Sequence, residues 1–182
     1  QQISDVASER KGRIVVGISP YRSTYILPYV LPRFYALYPQ VEVTLCEEPS
    51  TAINRMLLKG DLDLAVTTLP IEGDLVETIP MATEELFLAV PKAFFKTYDL
   101  RAVMPPGGNY PTIETEQLRN LPIIMLNTDQ MLHQRMAELC RAHGFEPKPV
   151  IESRSIETSH ALVMAGIGVT LVPASLVEFG NH

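Results

Sequence analysis

Residues 13–18, RIVVGI, carry an apolar run from Ile14 that has no polar face. A strand of this kind must be covered on both sides, which places it centrally in a parallel sheet between helices. Leu27, Val30, Leu31, Phe34, Leu37 and Tyr38 then recur at helical spacing and predict an amphipathic helix over 24–38 that ends before Pro39. Pro28 fits its first turn, whereas Pro32 predicts a kink or a helix that is regular only beyond it. Val41, Val43 and Leu45 alternate with Glu42 and Thr44, the pattern of a strand over 41–46. Ser50 stands where an N-cap belongs, ahead of a short helix with Ile53, Met56 and Leu57 that Gly60 closes, and 62–67 is the next strand. Strand, helix, strand, helix, strand is the rhythm of a parallel α/β sheet.

Residues 75–81 and 84–90 read as further strands, and PPGGNYP at 105–111 as a surface loop. From residue 113 the pattern restarts. A short helix over 113–120, a strand at 122–126, a helix over 129–143 stopped by Gly144, a strand at 148–152, a helix over 155–165, a strand at 168–172 and a helical piece from Ala174 complete the chain. The two βα-rich halves share no fixed repeat period, which predicts two similar lobes rather than a solenoid. Residues 1–11 form a polar connector, 12–90 the first lobe and 91–182 the second.

Several functions are excluded on charge and spacing. Fifteen basic against 21 acidic residues give a net charge of −6, the wrong sign for a module that neutralises DNA phosphates unaided. The longest apolar runs fall well short of the roughly 18 residues that span a bilayer, so no membrane partner is expected. Two cysteines, Cys46 and Cys140, are too few for a disulfide scaffold, and the expected compartment is the cytoplasm. On the 129–143 helix, His133 and Cys140 lie about 10 Å apart along the axis and cannot share an ion. Cys140 and His143 lack further ligands nearby, so no metal site is expected. No cofactor or catalytic signature is present either: Gly166-Ile167-Gly168 follows a helix instead of opening one, which makes it a helix stop and tight turn rather than a dinucleotide fingerprint. Asp61 and Asp63 fall at a strand start, where one caps a turn and the other faces solvent.

What remains is a set of polar residues at strand-to-helix junctions: Ser19, Tyr21, Arg22 and Ser23 after the first strand, Ser50 and Thr51 after the second, Thr67 after the third, Asn127, Thr128 and Gln130 after 122–126, and Ser153 after 148–152. Each alone is explained as a helix cap. Together they lie at the carboxyl ends of parallel strands, where open α/β sheets bind ligands, and where helix N-termini favour anions. Arg22 adds a guanidinium suited to a carboxylate or phosphate. These eleven residues are the candidate binding set for a small anionic molecule held between two lobes.

GRIVVGIS, then S-x-Y-I-L-P, F-x-x-x-Y-P-x-V, L-L-x-G-x-L-D-L-A-V and V-M-A-G-I-G-V-x-L-V-P resemble, in this order from Gly12 to Leu176, the effector-binding domain of LysR-type transcriptional regulators. The resemblance implies a two-lobed, type 2 periplasmic-binding-protein-like α/β fold with mostly parallel sheets flanked by helices. It further implies a small-molecule effector between the lobes, no enzymatic activity, and a homodimer or homotetramer. Residues 1–11 would be the tail of a linker helix, and DNA would be bound only through an N-terminal helix-turn-helix outside these residues. The alternative with the same fold is the solute-binding protein of a transporter. Two departures stand out: Tyr21 and Arg22 replace the small hydroxyl residue of the family's first ligand loop, and the usual return of the chain to the first lobe is missing before His182.

Overall fold

The computed structural model describes residues 11–71 and 75–179. The connector expected over residues 1–11 lies outside them except for Lys11, which begins a strand. The described residues pack as two compact units that divide between Met81 and Ala82.

The first unit is built on β1 (Lys11–Ile18), which lies between β2 (Gln40–Glu47) and β3 (Leu64–Val66) in a three-stranded parallel sheet. Ile14 faces Val43, Val16 is flanked by Leu45 and Leu64, and Ile18 by Glu47 and Val66. Val16 and Ile18 are buried on one face of the strand, and on the other Gly17 is buried and Val15 half-buried, so both faces are covered. Helix α1 (Pro20–Leu37) links β1 to β2, and α2 (Ser50–Lys59) links β2 to β3. Gly17 sets how closely α2 approaches: a Cβ there would stand 2.5 Å from Leu62 Cδ1 and 3.1 Å from Ile53 Cγ2.

Three local expectations are corrected. Helix α1 starts at Pro20, not at residue 24, because Ser19 caps it and proline suits the first helical position. Pro28 is therefore well inside the helix, as is Pro32, so neither Thr24 nor Pro28 can receive the usual helical N–H from four residues on. Ser50 is the first residue of α2 rather than its N-cap; Pro49 holds that position and offers no side-chain bond. Residues 75–81 form no strand: Leu75 and Ile79, 82% and 79% exposed, find no ladder to join.

The second unit contains β4 (Leu86–Ala89), α3 (Lys92–Thr97), the short antiparallel pair β5 (Ala102–Val103) and β6 (Thr112–Ile113), and a 3₁₀ turn over Thr115–Asn120 where the spacing predicts a helix. Then follow β7 (Ile123–Leu126), α4 (Met131–Ala142), β8 (Pro149–Ser153), α5 (Ile156–Met164), β9 (Thr170–Pro173) and α6 (Ala174–Phe179). β7 and β8 are parallel, whereas β4 pairs antiparallel with β9. That pairing accompanies the placement of β4 in the second compact unit. All four residues of β7 are buried, and Ile123, Met125 and Leu126 share one core cluster with Leu118, Leu132, Met136, Cys140 and Val169. Each such large apolar side chain contributes about 1.5–3 kcal/mol on burial.

Gly166 and Gly168 have separate tasks after α5. Gly166 takes a left-handed φ of +81° that stops the helix, and a Cβ on Gly168 would lie 2.6 Å from the Pro122 carbonyl oxygen. That close approach lets Val169 donate to Pro122 O and Ile124 donate to Val169 O, both at 2.8 Å.

Candidate functional site

In the first unit the β1–α1 and β2–α2 junctions meet through one arginine. Ser19 Oγ accepts the Arg22 amide at 3.4 Å, and Arg22 Nη1 donates to Ser19 Oγ at 3.4 Å and to Ser50 Oγ at 3.5 Å. Because Ser50 is spared from capping α2, its hydroxyl is available to this contact. Both helices open here, so their N-terminal partial positive charge adds to that of the half-buried guanidinium.

The neighbouring residues divide between core and surface. Tyr21 is buried, with its ring centroid 4.8 Å from that of Tyr25, so it supports α1 from inside. Ser23 is also buried; its Oγ lies 2.8 Å from the Pro20 carbonyl and against the Glu47 carboxylate. Thr51 is exposed on α2, and Thr67 Oγ1 donates to Asn54 Oδ1 at 2.8 Å, tying the end of β3 to α2. Glu47 and Asn54 join the junction without having been legible in the sequence as site residues. For Glu47 the available signal is its place as the residue that ends the β2 alternation, next to a run expected to bind ligands.

In the second unit the β7–α4 and β8–α5 junctions interlock. The Asn127 backbone amide donates to Ser153 O at 3.0 Å and to Gln130 Oε1 at 3.1 Å, and Gln130 Nε2 donates to Arg154 O at 2.9 Å. With its amide assigned to the orientation that satisfies both partners, the Asn127 side chain completes the junction, its nitrogen donating to Ser153 O at 3.2 Å and its oxygen accepting from Arg154 Nε at 3.1 Å. Ser153 Oγ turns to its own loop, accepting from Ser155 N and donating to Ser155 O, each at 3.2 Å. Thr128 is exposed. His133, whose sequence position raises only the question of metal ligation, lies with Nδ1 2.7 Å from Leu126 O at the end of β7. A carbonyl only accepts, so Nδ1 carries the proton.

Asp63 is exposed at the strand start, as expected, but it does more than face solvent: its Oδ2 accepts the Val15 amide. Cys140 is fully buried, and that burial, followed by the charge of Glu146, pushes its thiol above the ordinary range. Among the described residues no three His, Cys, Asp or Glu side chains are grouped to hold a metal ion, and no helix is long and apolar enough to cross a membrane.

Residues 7–181 match the family model described as "LysR substrate binding domain". This chain belongs to that family. Among curated relatives, this LysR substrate-binding domain is 33% identical over 174 residues to the HTH-type transcriptional regulator YcgK of Bacillus subtilis, covering 88% of this chain and 52% of the relative. It is 25% identical over 173 residues to a hydrogen peroxide-inducible genes activator of Haemophilus influenzae, covering 95% of this chain and 54% of that one. Among solved structures, a mutant of OxyR from Corynebacterium glutamicum superposes with a TM-score of 0.70 at 28% identity, covering 98% of this chain and 52% of that one. The chain spans about half the length of the curated relatives it matches. LysR substrate-binding domains serve transcriptional regulators and are not enzymes, and the transporter alternative is not favoured.

Proposed function

We propose that this LysR substrate-binding domain is the ligand-sensing and dimerising part of a cytoplasmic bacterial regulator, and that its effector is a small anion held at the strand-to-helix junctions. The observation that carries the reading is Arg22, whose Nη1 stands 3.4 Å from Ser19 Oγ and 3.5 Å from Ser50 Oγ where two helix N-termini converge. Preset donors and a guanidinium suit a carboxylate or phosphate. DNA is read by the remaining half of such a regulator, since a domain with net charge −6 has no electrostatic footprint for it. Binding of the effector shifts the domain between conformations that the DNA-reading half reports.

Self-association uses α1 and α4 together with β2 and β8. Tyr29, Val30 and Leu37 are exposed on α1, Tyr38 at its C-terminal cap, Leu45 on β2 and Val150 on β8, more apolar surface than one covering role explains. The Haemophilus relative's name ties that protein to hydrogen peroxide-inducible genes, but a peroxide response through cysteine is disfavoured for this one. Cys140 is closed off, and the Cys46 thiol is engaged by Met56, with Sγ 3.7 Å from Sδ. The deciding experiment is a thermal-shift screen of small anions against wild type and Arg22→Ala. Stabilisation that survives the substitution removes the support for the anion site.

A further inference from the structure

We infer that Glu47 makes this site selective for ligands that carry an ammonium group beside the acid group, the chemistry of an amino acid. The inference rests on the effector-site reading above and narrows its ligand class. Glu47 is the last residue of β2 and lies in register with Ile18, the last residue of β1. Its carboxylate therefore stands at the same sheet edge as Ser19 and Arg22, which directly follow β1. The same turn that carries Glu47 leads to Ser50, the second hydroxyl bonded by Arg22.

The Glu47 carboxylate is held by the Ser23 hydroxyl, and Ser23 is itself buried and within reach of Pro20 O in the first turn of α1. The acid is fixed by a core residue while Glu47 as a whole stays exposed, so a ligand can reach it. A carboxylate cannot donate a hydrogen bond, and a second negative charge brought to Arg22 is repelled by it. An ammonium on the ligand reverses that sign and adds a charge-assisted bond to Glu47 while the acid group meets Arg22. A simple carboxylic acid gains only the second contact and suffers the repulsion, which is how a site rejects one ligand in favour of another. If Glu47 merely anchored α1, its charge would affect stability and leave the ranking of ligands unchanged.

The test is calorimetric titration and thermal shift on residues 1–182 with two matched probe sets: the common amino acids, and the same carbon skeletons lacking the amino group. The variants are Glu47→Gln, Glu47→Asp and Arg22→Ala. At least one amino acid should bind wild type about tenfold or more tightly over its deaminated counterpart, the scale of one charge-assisted bond. Glu47→Gln should bring that ratio close to one, Glu47→Asp should keep part of it, and Arg22→Ala should weaken both members of the pair. Equal or tighter binding of the deaminated acids to wild type, or an unchanged ratio in Glu47→Gln, overturns the role of Glu47 and leaves the anion site standing. Absence of binding by every member of both sets overturns the inference, and if phosphate and sulfate also fail, the anion site falls with it.

Discussion

The Asp63 carboxylate accepts the Val15 amide at 2.7 Å while the Asp63 amide donates to the Val15 carbonyl at 3.0 Å. One residue thus closes a ring of two hydrogen bonds with the central strand just ahead of β3, and so lengthens a pairing that β3 itself sustains for only three residues. Asp63→Ala should cost about 1–2 kcal/mol, a charge-assisted bond reduced by its exposure. For a chain of this size that is a melting decrease of roughly 2–8 °C. Asp63→Asn keeps an acceptor and should lose less than half as much in urea unfolding.

For the anion site, a ligand at about 100 times its dissociation constant should stabilise the domain by roughly 2.7 kcal/mol. That corresponds to a melting shift of roughly 5–11 °C. Arg22→Ala should weaken binding by about 1.5–3 kcal/mol and remove most of the shift. Ser50→Ala takes away only the hydroxyl that Nη1 approaches at 3.5 Å, so its loss should be smaller.

Gly168 tests the close approach of the turn after α5 to the start of β7. A Cβ there meets the Pro122 carbonyl oxygen at 2.6 Å, a backbone atom that cannot swing aside. Gly168→Ala should destabilise by about 1–3 kcal/mol. Gly12→Ala, with nothing within 4 Å of the added carbon, should stay within about 0.5 kcal/mol of wild type. Chemical denaturation of the two variants side by side measures the contrast.

Burial raises the Cys140 thiol, so the folded state favours its protonated form. The corresponding stability is complete below the ordinary thiol range and is lost as pH rises through the elevated folded value. Stability measured from pH 7 into the alkaline range should therefore fall more steeply for wild type than for Cys140→Ala. In native protein a thiol reagent should modify Cys46 first and reach Cys140 only on unfolding. Equal rates for both cysteines would contradict the closed packing around Cys140.

Dimerisation through α1 predicts that Tyr29→Asp, at a position 68% exposed in the single chain, leaves the melting temperature nearly unchanged but weakens self-association by about tenfold or more. Sedimentation equilibrium at tens of micromolar measures it. Wild type sedimenting only at 20.3 kDa would refute the assembly.

Most of the element order was legible because burial imposes a period that sequence displays: Ile14 to Ile18 read as a covered strand, and Leu132, Met136 and Cys140 as one buried helix face. Periodicity is blind to what it has no partner for. Leu75, Ile79 and Met81 alternate as a strand would, yet they stay exposed because a strand exists only if another strand accepts its hydrogen bonds. The 84–90 strand was visible, but not that β9 would pair with it. At the site, the junctions were legible as capping positions, while the direction of each side chain was not. Tyr21 turned into the core, Ser23 turned to Glu47, and Arg22 reached across to Ser50 from the next junction.

The antiparallel partnership of β4 with β9 also orders events during synthesis. All three strands of the β2-β1-β3 sheet have been synthesised once Val66 is made, so the first unit can assemble its sheet early in translation. β4 is made soon afterwards, but its only strand neighbour among the described residues is β9, which ends at Pro173. Leu86 to Ala89 must therefore wait, unpaired, through the translation of most of the second unit. That interval is where a nascent chain of this kind exposes a bare strand edge, and where holding chaperones would have the most to protect.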